Sequence, residues 1–386
     1  MKNPKSPNSP VLRGRMFFTF LALLSFLAFT GFYKIQNSPD TADSRKLHYY
    51  NVSDFAKVPK IDLHFHYNTP DTKYLLFADS LNFRLISPNV DTEIPIDKQL
   101  SICRKIKQQY PAKFAFFGTF SVDGFGSPEF EAATIDRIDL CMKSGACGIK
   151  IWKNMGMSLL DREGHYVMVD NPGFGKVFEY MEKQKIQLIA HLGEPKNCWL
   201  PLDQMTAAND KRYYANHPQY HMYLHPEAPS YEDQINARNN LLTGHPSLAY
   251  IGAHLASEEW NIDELAKSFD RFPNLRADMA ARISHLLYQS SKDREKVRNF
   301  LIKYQDRILY GTDFSVNEKD TSYKDVSEGM KRTWLNQWIY LATDSIMAFR
   351  EMPDTQLKGL QLPREVIDKI YCRNAEDFFK SWLIKL

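Results

Sequence analysis

The chain has 386 residues, of which 44% are hydrophobic and 25% charged, and 49 basic residues against 46 acidic ones leave a formal net charge of +3. That balance is ordinary for a globular protein with a substantial core. It carries no basic stripe with interleaved aromatics, so nucleic acid is excluded as an expected partner.

In chain order, the first segment is a basic head, residues 1–15, with Lys2, Lys5, Arg13 and Arg15. An uncharged apolar run, Met16–Tyr33, follows and is long enough to cross a hydrocarbon core of about 30 Å. The flanking positive charges favour an N-in, C-out orientation. The run reads Ala28-Phe29-Thr30-Gly31-Phe32 near its end, with no small-x-small cleavage site and no cysteine for a lipid. It is therefore read as an uncleaved transmembrane signal-anchor, with a cleaved signal peptide as the alternative. Either reading places the remainder outside the cytoplasm, membrane-anchored or secreted. Residues 34–56 read as a polar linker to one large domain at 57–386.

Within that domain, short apolar runs alternate with amphipathic stretches. The predicted strands are Lys60–His66, Asn82–Asn89, Lys113–Ser121, Gly148–Lys153, Gln187–Gly193, Leu248–Leu255, Leu275–Ala280 and Arg307–Thr312. The predicted helices include Asp97–Tyr110, Phe130–Ser144, Gly173–Lys185, Ile262–Phe272 and Asp293–Tyr304. Eight near-continuous apolar strands between helices predict an α/β fold, a parallel sheet closed as a (β/α)8 TIM barrel. The alternative is a doubly wound sheet, but no glycine-rich phosphate turn follows the first strand. The spacing breaks once, at a long loop insertion after strand 5 (residues 194–247), rich in Tyr, His, Pro and Asn and expected to form a lid or pocket wall. The tail from Thr333 to Leu386 reads as extra C-terminal helices, one starting near Pro363. The five cysteines, Cys103, Cys141, Cys147, Cys198 and Cys372, match no zinc or CxxC spacing, and no disulfide framework is expected.

Chemistry-bearing residues gather at strand ends. The first strand reads Ile61-Asp62-Leu63-His64-Phe65-His66, and alternation sends His64, His66 and Asp62 to one face. The fifth strand ends on His191, the sixth on His254 and the eighth on Asp313. In a barrel these ends open into one mouth.

Together they resemble the amidohydrolase superfamily, in particular its amidohydrolase-related branch. The matching elements are HxH on the first strand, His on the fifth and sixth, and Asp on the eighth, with a Leu-Pro-x-x-Val…Asn-Ala ending from Leu362 to Ala375. The resemblance implies His64, His66, Asp313 and His191 as ligands of a divalent metal. Zinc is the first choice, manganese or iron the alternatives, with one or two ions bound. It implies that Asp313 also serves as general base toward metal-activated water, and that His254 orients that water or polarises a carbonyl. Asp62 is expected to hold one imidazole in place. Lys150, on the fourth strand, is expected either to be carboxylated and bridge two metals, as in binuclear members, or to bind a substrate carboxylate. Lys153, of opposite parity, is expected to leave the strand toward solvent or the rim.

Arg282 is a candidate clamp for an acidic substrate, with a cap or ion pair as the plain reading. Trp152 and Trp199 are candidates to stack on a flat substrate. Glu194 could reach the site, and Tyr213, His217, His221 and His225 could shape the pocket without binding metal. The leading function is hydrolysis of a C–N or C–O bond in a small amide, ester or lactone. The alternative is a metal-dependent decarboxylase or hydratase acting on an aromatic or keto acid. Oligomerisation is left open.

Overall fold

The computed structural model describes residues 48–349 and 352–379. The basic head, the run Met16–Tyr33 and the linker up to residue 47 lie outside the described residues. Among the described residues, no helix is long and apolar enough to cross a membrane.

Eight parallel strands pair in sequential order: β1 (Lys60–Asp62), β2 (Phe83–Pro88), β3 (Phe114–Thr119), β4 (Ile149–Ile151), β5 (Leu188–Ala190), β6 (Tyr250–Gly252), β7 (Leu275–Asp278) and β8 (Ile308–Leu309). The sheet closes on itself past the ends of β8 and β1. Leu63 N donates to Tyr310 O at 3.1 Å and Asp313 N to His64 O at 2.7 Å. Short extensions, Phe65–Asn68 and Phe314–Asn317, then pair in parallel with Phe314 opposite Phe65. Sequential order with a closed seam is a (β/α)8 barrel and not a doubly wound sheet.

Strand alternation divides the apolar residues into two cores. Ile61, Ile86, Ala115, Phe117, Ile189, Ile251 and Leu309 fill the barrel interior. Leu85, Phe114, Phe116, Ile149, Leu188, Tyr250 and Ile308 face the helical layer. That layer comprises α1 (Lys73–Ser80), α2 (Ile96–Gln109), α3 (Phe130–Lys143), α4 (Gly175–Lys183), α5 (Ala208–Asn216), α6 (Tyr231–Gly244), α7 (Ile262–Arg271), α8 (Ile283–Lys292), α9 (Arg294–Lys303) and α10 (Tyr323–Ala342).

The lower end of the barrel is plugged. Cys372, Ala375, Phe378 and Phe379 join the interior core from the C-terminal helical stretch, with Phe379 edge-on to Phe117 at 5.5 Å. Each buried Phe stabilises by roughly 1.5–3 kcal/mol relative to exposure. Residues at the end of the expected linker also pack here. Asn51 caps the turn Val52–Asp54, and Phe55 rests on Phe83 and Trp338.

Two expectations about connecting segments change in detail. The insertion after β5 is ordered as short helical turns around α5, with a small core in which Cys198, Met205, Tyr214 and Met222 pack with Met157 of the segment after β4. Its last helix, α6, is capped by Ser230 and Asp233 in reciprocal bonds and serves as the barrel helix between β5 and β6. The tail is not wholly helical: Ile346–Phe349 pairs antiparallel with Met352–Lys358 before the helical stretch Arg364–Phe378. The five cysteines are free and buried.

Candidate metal centre

His64, His66 and Asp313 converge at the upper end of the barrel, where β1 and β8 meet. His66 Nε2 lies 3.1 Å and His64 Nε2 3.4 Å from Asp313 Oδ1. These spacings fit atoms bound to one ion, because bonds of about 2.1 Å at tetrahedral angles separate ligand atoms by about 3.4 Å. The His64 tautomer fits as well. Its Nδ1 lies 2.8 Å from Asp278 Oδ2. Burial lowers the His64 pKa, with Lys150 adding to it, so the ring is neutral and donates from Nδ1. Nε2 therefore presents a lone pair toward the cluster.

His191 and His254 extend the same logic. His254 Nδ1 lies 2.9 Å from Ala280 O, a group that only accepts, so Nδ1 carries the proton and Nε2 is bare. His191 Nδ1, 3.2 Å from that Nε2, is then the donor. This leaves His191 Nε2 as a bare, buried lone pair without a partner among the described residues. An orphaned imidazole nitrogen suits a divalent metal. Among the described residues, however, His191 is not one of those whose ligand atoms gather within 4.8 Å of one another. It adjoins them through His254, whose ring centre lies 4.1 Å from its own and 4.9 Å from that of His64. Burial holds both rings well below the usual histidine range, with His254 and Lys153 adding to the effect on His191 and Arg282 to that on His254. Asp313 stays well below the usual carboxylate range because His66, His64 and His254 outweigh its burial.

Asp278, at the end of β7, is the residue that the sequence reading passed over. It is fully buried, and its Oδ1 accepts from His254 N at 2.7 Å and Ala280 N at 3.0 Å while Oδ2 holds His64. His64, His254 and Lys150 bring its pKa down to about 2 against the upward pull of burial. The expected imidazole holder, Asp62, does something else. Ile61 and Leu63 point into the interior, so Asp62 faces outward and accepts from Trp334 Nε1 at 2.9 Å and Thr312 Oγ1 at 2.6 Å. The strand breaks between Asp62 and Phe65, which resets the alternation before His64. Asp62 ties the seam, and Asp278 orients the His64 ring.

Lys150 keeps the interior parity expected of it, and its Nζ is buried with no hydrogen-bond partner among the described residues. Burial lowers its pKa to about 8, opposed by Asp278 and Asp313. Lys153 does not reach solvent. It is buried and paired with Glu194, also largely buried, and its ammonium lies 5.4 Å from the centre of the Trp152 ring. A charge drawn back over the strand end by a buried carboxylate explains the difference from the expected rim position. Arg282 is buried, its Nε unbonded, and Glu259, Asp210 and Glu194 hold its charge against the cost of burial. Asp210 of α5 also lies 3.0 Å from His285 Nε2, which ties the insertion to α8.

The insertion's aromatic and imidazole groups serve the insertion itself. His217 Nδ1 lies 2.8 Å from Tyr213 O, His221 Nε2 2.8 Å from Leu200 O and His225 Nε2 3.2 Å from Pro218 O. Trp199 donates to Pro229 O.

Backbone conformation at this end is unusual. His254, Leu255, Ala256 and Ser257 have φ of 60°, 56°, 55° and 61°, a full turn of left-handed backbone without glycine. Left-handed helix costs L-residues roughly 1–2 kcal/mol each. Ala281 and Asp313 also have positive φ, 56° and 64°. Two glycines make room. A Cβ on Gly252 would meet Ala256 Cβ at 2.4 Å, and one on Gly311 would meet His64 Cβ at 2.9 Å.

The amidohydrolase family model matches residues 61–380. No curated protein matches the chain. Among solved structures, it is similar to 2,6-dihydroxybenzoate decarboxylase from Rhizobium (16% identity, 84% of this chain, 99% of that one, TM-score 0.47). It is also similar to dihydroxybenzoic acid decarboxylase from Polaromonas sp. JS666 with bound manganese and 2-nitroresorcinol (13%, 84%, 97%, TM-score 0.46). A third is 4-oxalomesaconate hydratase from Rhodopseudomonas palustris (11%, 84%, 98%, TM-score 0.46). With its family model matched over nearly the whole described barrel, the chain belongs to the amidohydrolase family.

Proposed function

We propose that this chain is a metal-dependent hydrolase acting on a C–N or C–O bond of a small amide, ester or lactone. The supporting observation is the convergence of ligand atoms of His64, His66 and Asp313 within 4.8 Å of one another. A divalent ion held there, zinc first and manganese or iron otherwise, would supply Lewis-acid activation of water and of a substrate carbonyl. Asp313 is the base: its side chain is 30% exposed while His64 is 1% exposed, so it is the acidic group of the cluster that meets solvent. With its carboxyl held below the usual range, first by the hydrogen bond to His66, it is the group that accepts the proton of the attacking water. His254 keeps His191 in the tautomer that leaves Nε2 without a proton. Arg282 Nε, buried and unbonded among the described residues, offers one donor to a substrate acceptor. Trp152, whose ring centre lies 5.4 Å from the Lys153 ammonium, is the candidate to stack on a flat substrate.

Lys150 favours a second reading. An unpaired buried ammonium beside the cluster suits a substrate carboxylate, which a decarboxylase or hydratase would bring. Carboxylated, the same lysine would instead become a metal ligand and favour hydrolysis. The apolar run Met16–Tyr33 supports an anchored domain outside the cytoplasm. The test is a panel of amides, esters and lactones alongside aromatic and keto acids, run with metal-loaded and chelator-treated protein. Metal-dependent hydrolysis supports the first reading. Metal-dependent release of CO2, or addition of water without bond cleavage, overturns it in favour of the second.

A further inference from the structure

The left-handed turn that carries His254 is held from outside the metal cluster, by one face of α6. A left-handed turn directs its carbonyls away from any helical ladder, and such backbone persists only where neighbours over-determine it. Here Arg238 Nη1 donates to Ala256 O at 2.5 Å and Tyr231 Oη donates to Ser257 O at 2.6 Å. Ser257 Oγ in turn donates to Leu192 O at 2.5 Å, joining the turn to the residue after His191. Arg238 is 1% exposed and fixed by Glu258 Oε1 at 3.1 Å and Ser268 Oγ at 3.1 Å. Trp260 Nε1 fixes the Tyr231 hydroxyl at 2.8 Å. On the same face, Gln234 donates to Gly156 O at 2.7 Å, in the segment following β4. Positions 231, 234 and 238 form one helical stripe. Its three side chains are buried polar groups directed at backbone carbonyls and not at solvent.

We infer that Arg238 and Tyr231 are positioning residues, which hold residues 254–257 left-handed and thereby set the His254 imidazole against His191. This rests on the proposed function for its catalytic consequence, but its structural content stands apart from it. Asp278 grips His254 from the β7 side and α6 grips the following carbonyls, so the strained turn is clamped at both ends. Without the α6 clamp, the turn relaxes toward right-handed or extended backbone and His254 rotates away from His191 Nδ1. His191 then loses the partner that keeps its Nε2 bare.

The experiment uses the full-length protein with Arg238→Gln, and Tyr231→Phe as the milder variant should Arg238→Gln fail to fold. Hydrogen–deuterium exchange of peptides spanning residues 254–260 is expected to quicken at least tenfold, with the barrel strands unchanged, in protein saturated with zinc. Turnover of p-nitrophenyl acetate is expected to fall about tenfold in kcat with KM unmoved. Ala256→Gly placed in the Arg238→Gln background is expected to recover most of that loss, because glycine adopts φ near +55° without a Cβ clash. Arg238→Lys, which keeps a donor for Ala256 O, is expected to fall between the two. Unchanged exchange at 254–260, a global loosening, or no rescue by Ala256→Gly would overturn the inference. Absent esterase turnover in wild type would count against the hydrolase reading alone, since the exchange data decide the clamp without it.

Discussion

Two lysines lie fully buried in the barrel, one at each end, and their surroundings differ completely. Lys60, at the start of β1, donates to Phe55 O and Val58 O at 2.5 Å each and faces the rings of Phe55, Phe83 and Trp338 at 5.1, 4.7 and 5.7 Å. Lys150, near the other end of β4, has no hydrogen-bond partner among the described residues. At the lower end Asn374 likewise closes the fold by donating to Gln305 O and Ile308 O, although Gln305 Oε1 there has no hydrogen-bond partner among the described residues. The upper end leaves Lys150 Nζ, His191 Nε2, Glu259 Oε2 and Arg282 Nε unsatisfied, and concentrates positive φ at six of the nine described non-glycine positions that have it. Unsatisfied buried polar atoms cost stability, and a barrel tolerates them where they serve chemistry.

The contrast is sharpest at Asp313. Asp313→Asn removes the proposed ligand oxygen and the proposed base, so turnover is expected to fall by at least about a thousandfold while the fold survives. Steady-state kinetics beside circular dichroism check this, and retained turnover would sink the base assignment. The paired lysines come next. Lys60→Met leaves two buried carbonyls without a donor and is expected to cost about 2–4 kcal/mol in stability at pH 7, with activity per folded molecule unchanged. Lys150→Met removes an unpartnered ammonium, so denaturation is expected at the same or higher denaturant while turnover is lost. If both variants behaved alike, the division of labour between the two ends would be wrong.

Much of this was legible in the chain. All eight strands were marked by apolar runs, and His64, His66, His191, His254 and Asp313 by their places at strand ends. Asp278 carried the same signal, a titratable residue closing an apolar strand, and was passed over because Arg282 nearby drew the functional reading. Asp62 was misdirected by assuming unbroken alternation, which the bend at Leu63 interrupts. The left-handed turn had no sequence signal, since His-Leu-Ala-Ser contains none of the glycine or asparagine that usually marks positive φ. The clamp on α6 was equally hidden, because a buried Arg and Gln on a helix read as surface residues until their carbonyl partners are known. The strand pair Ile346–Phe349 and Met352–Lys358 sits among helices and is too short for periodicity to separate.

Two smaller effects refine the comparison. Asp278→Asn keeps the shape but weakens the bond to His64 Nδ1, and metal affinity is expected to drop roughly 10–100-fold. Competition with a chromophoric chelator measures it, and an unchanged affinity would show that Asp278 does not orient the ligand. At the lower end, burial pulls Lys60 down to about 7 from 10.5, so the unfolded chain binds the extra proton between those values. Stability from Lys60 therefore rises with pH across that window. Urea titrations at pH 7 and 9.5 should show this rise in wild type and a smaller one in Lys60→Met.

The most direct measurement is metal content by inductively coupled plasma mass spectrometry, on the full-length protein and on His66→Ala prepared alongside. At least one divalent ion per wild-type chain, lost or strongly reduced in His66→Ala, is the expected result. No stoichiometric metal after loading with zinc, manganese or iron, or equal metal in both proteins, would contradict the assignment of this cluster as the metal centre.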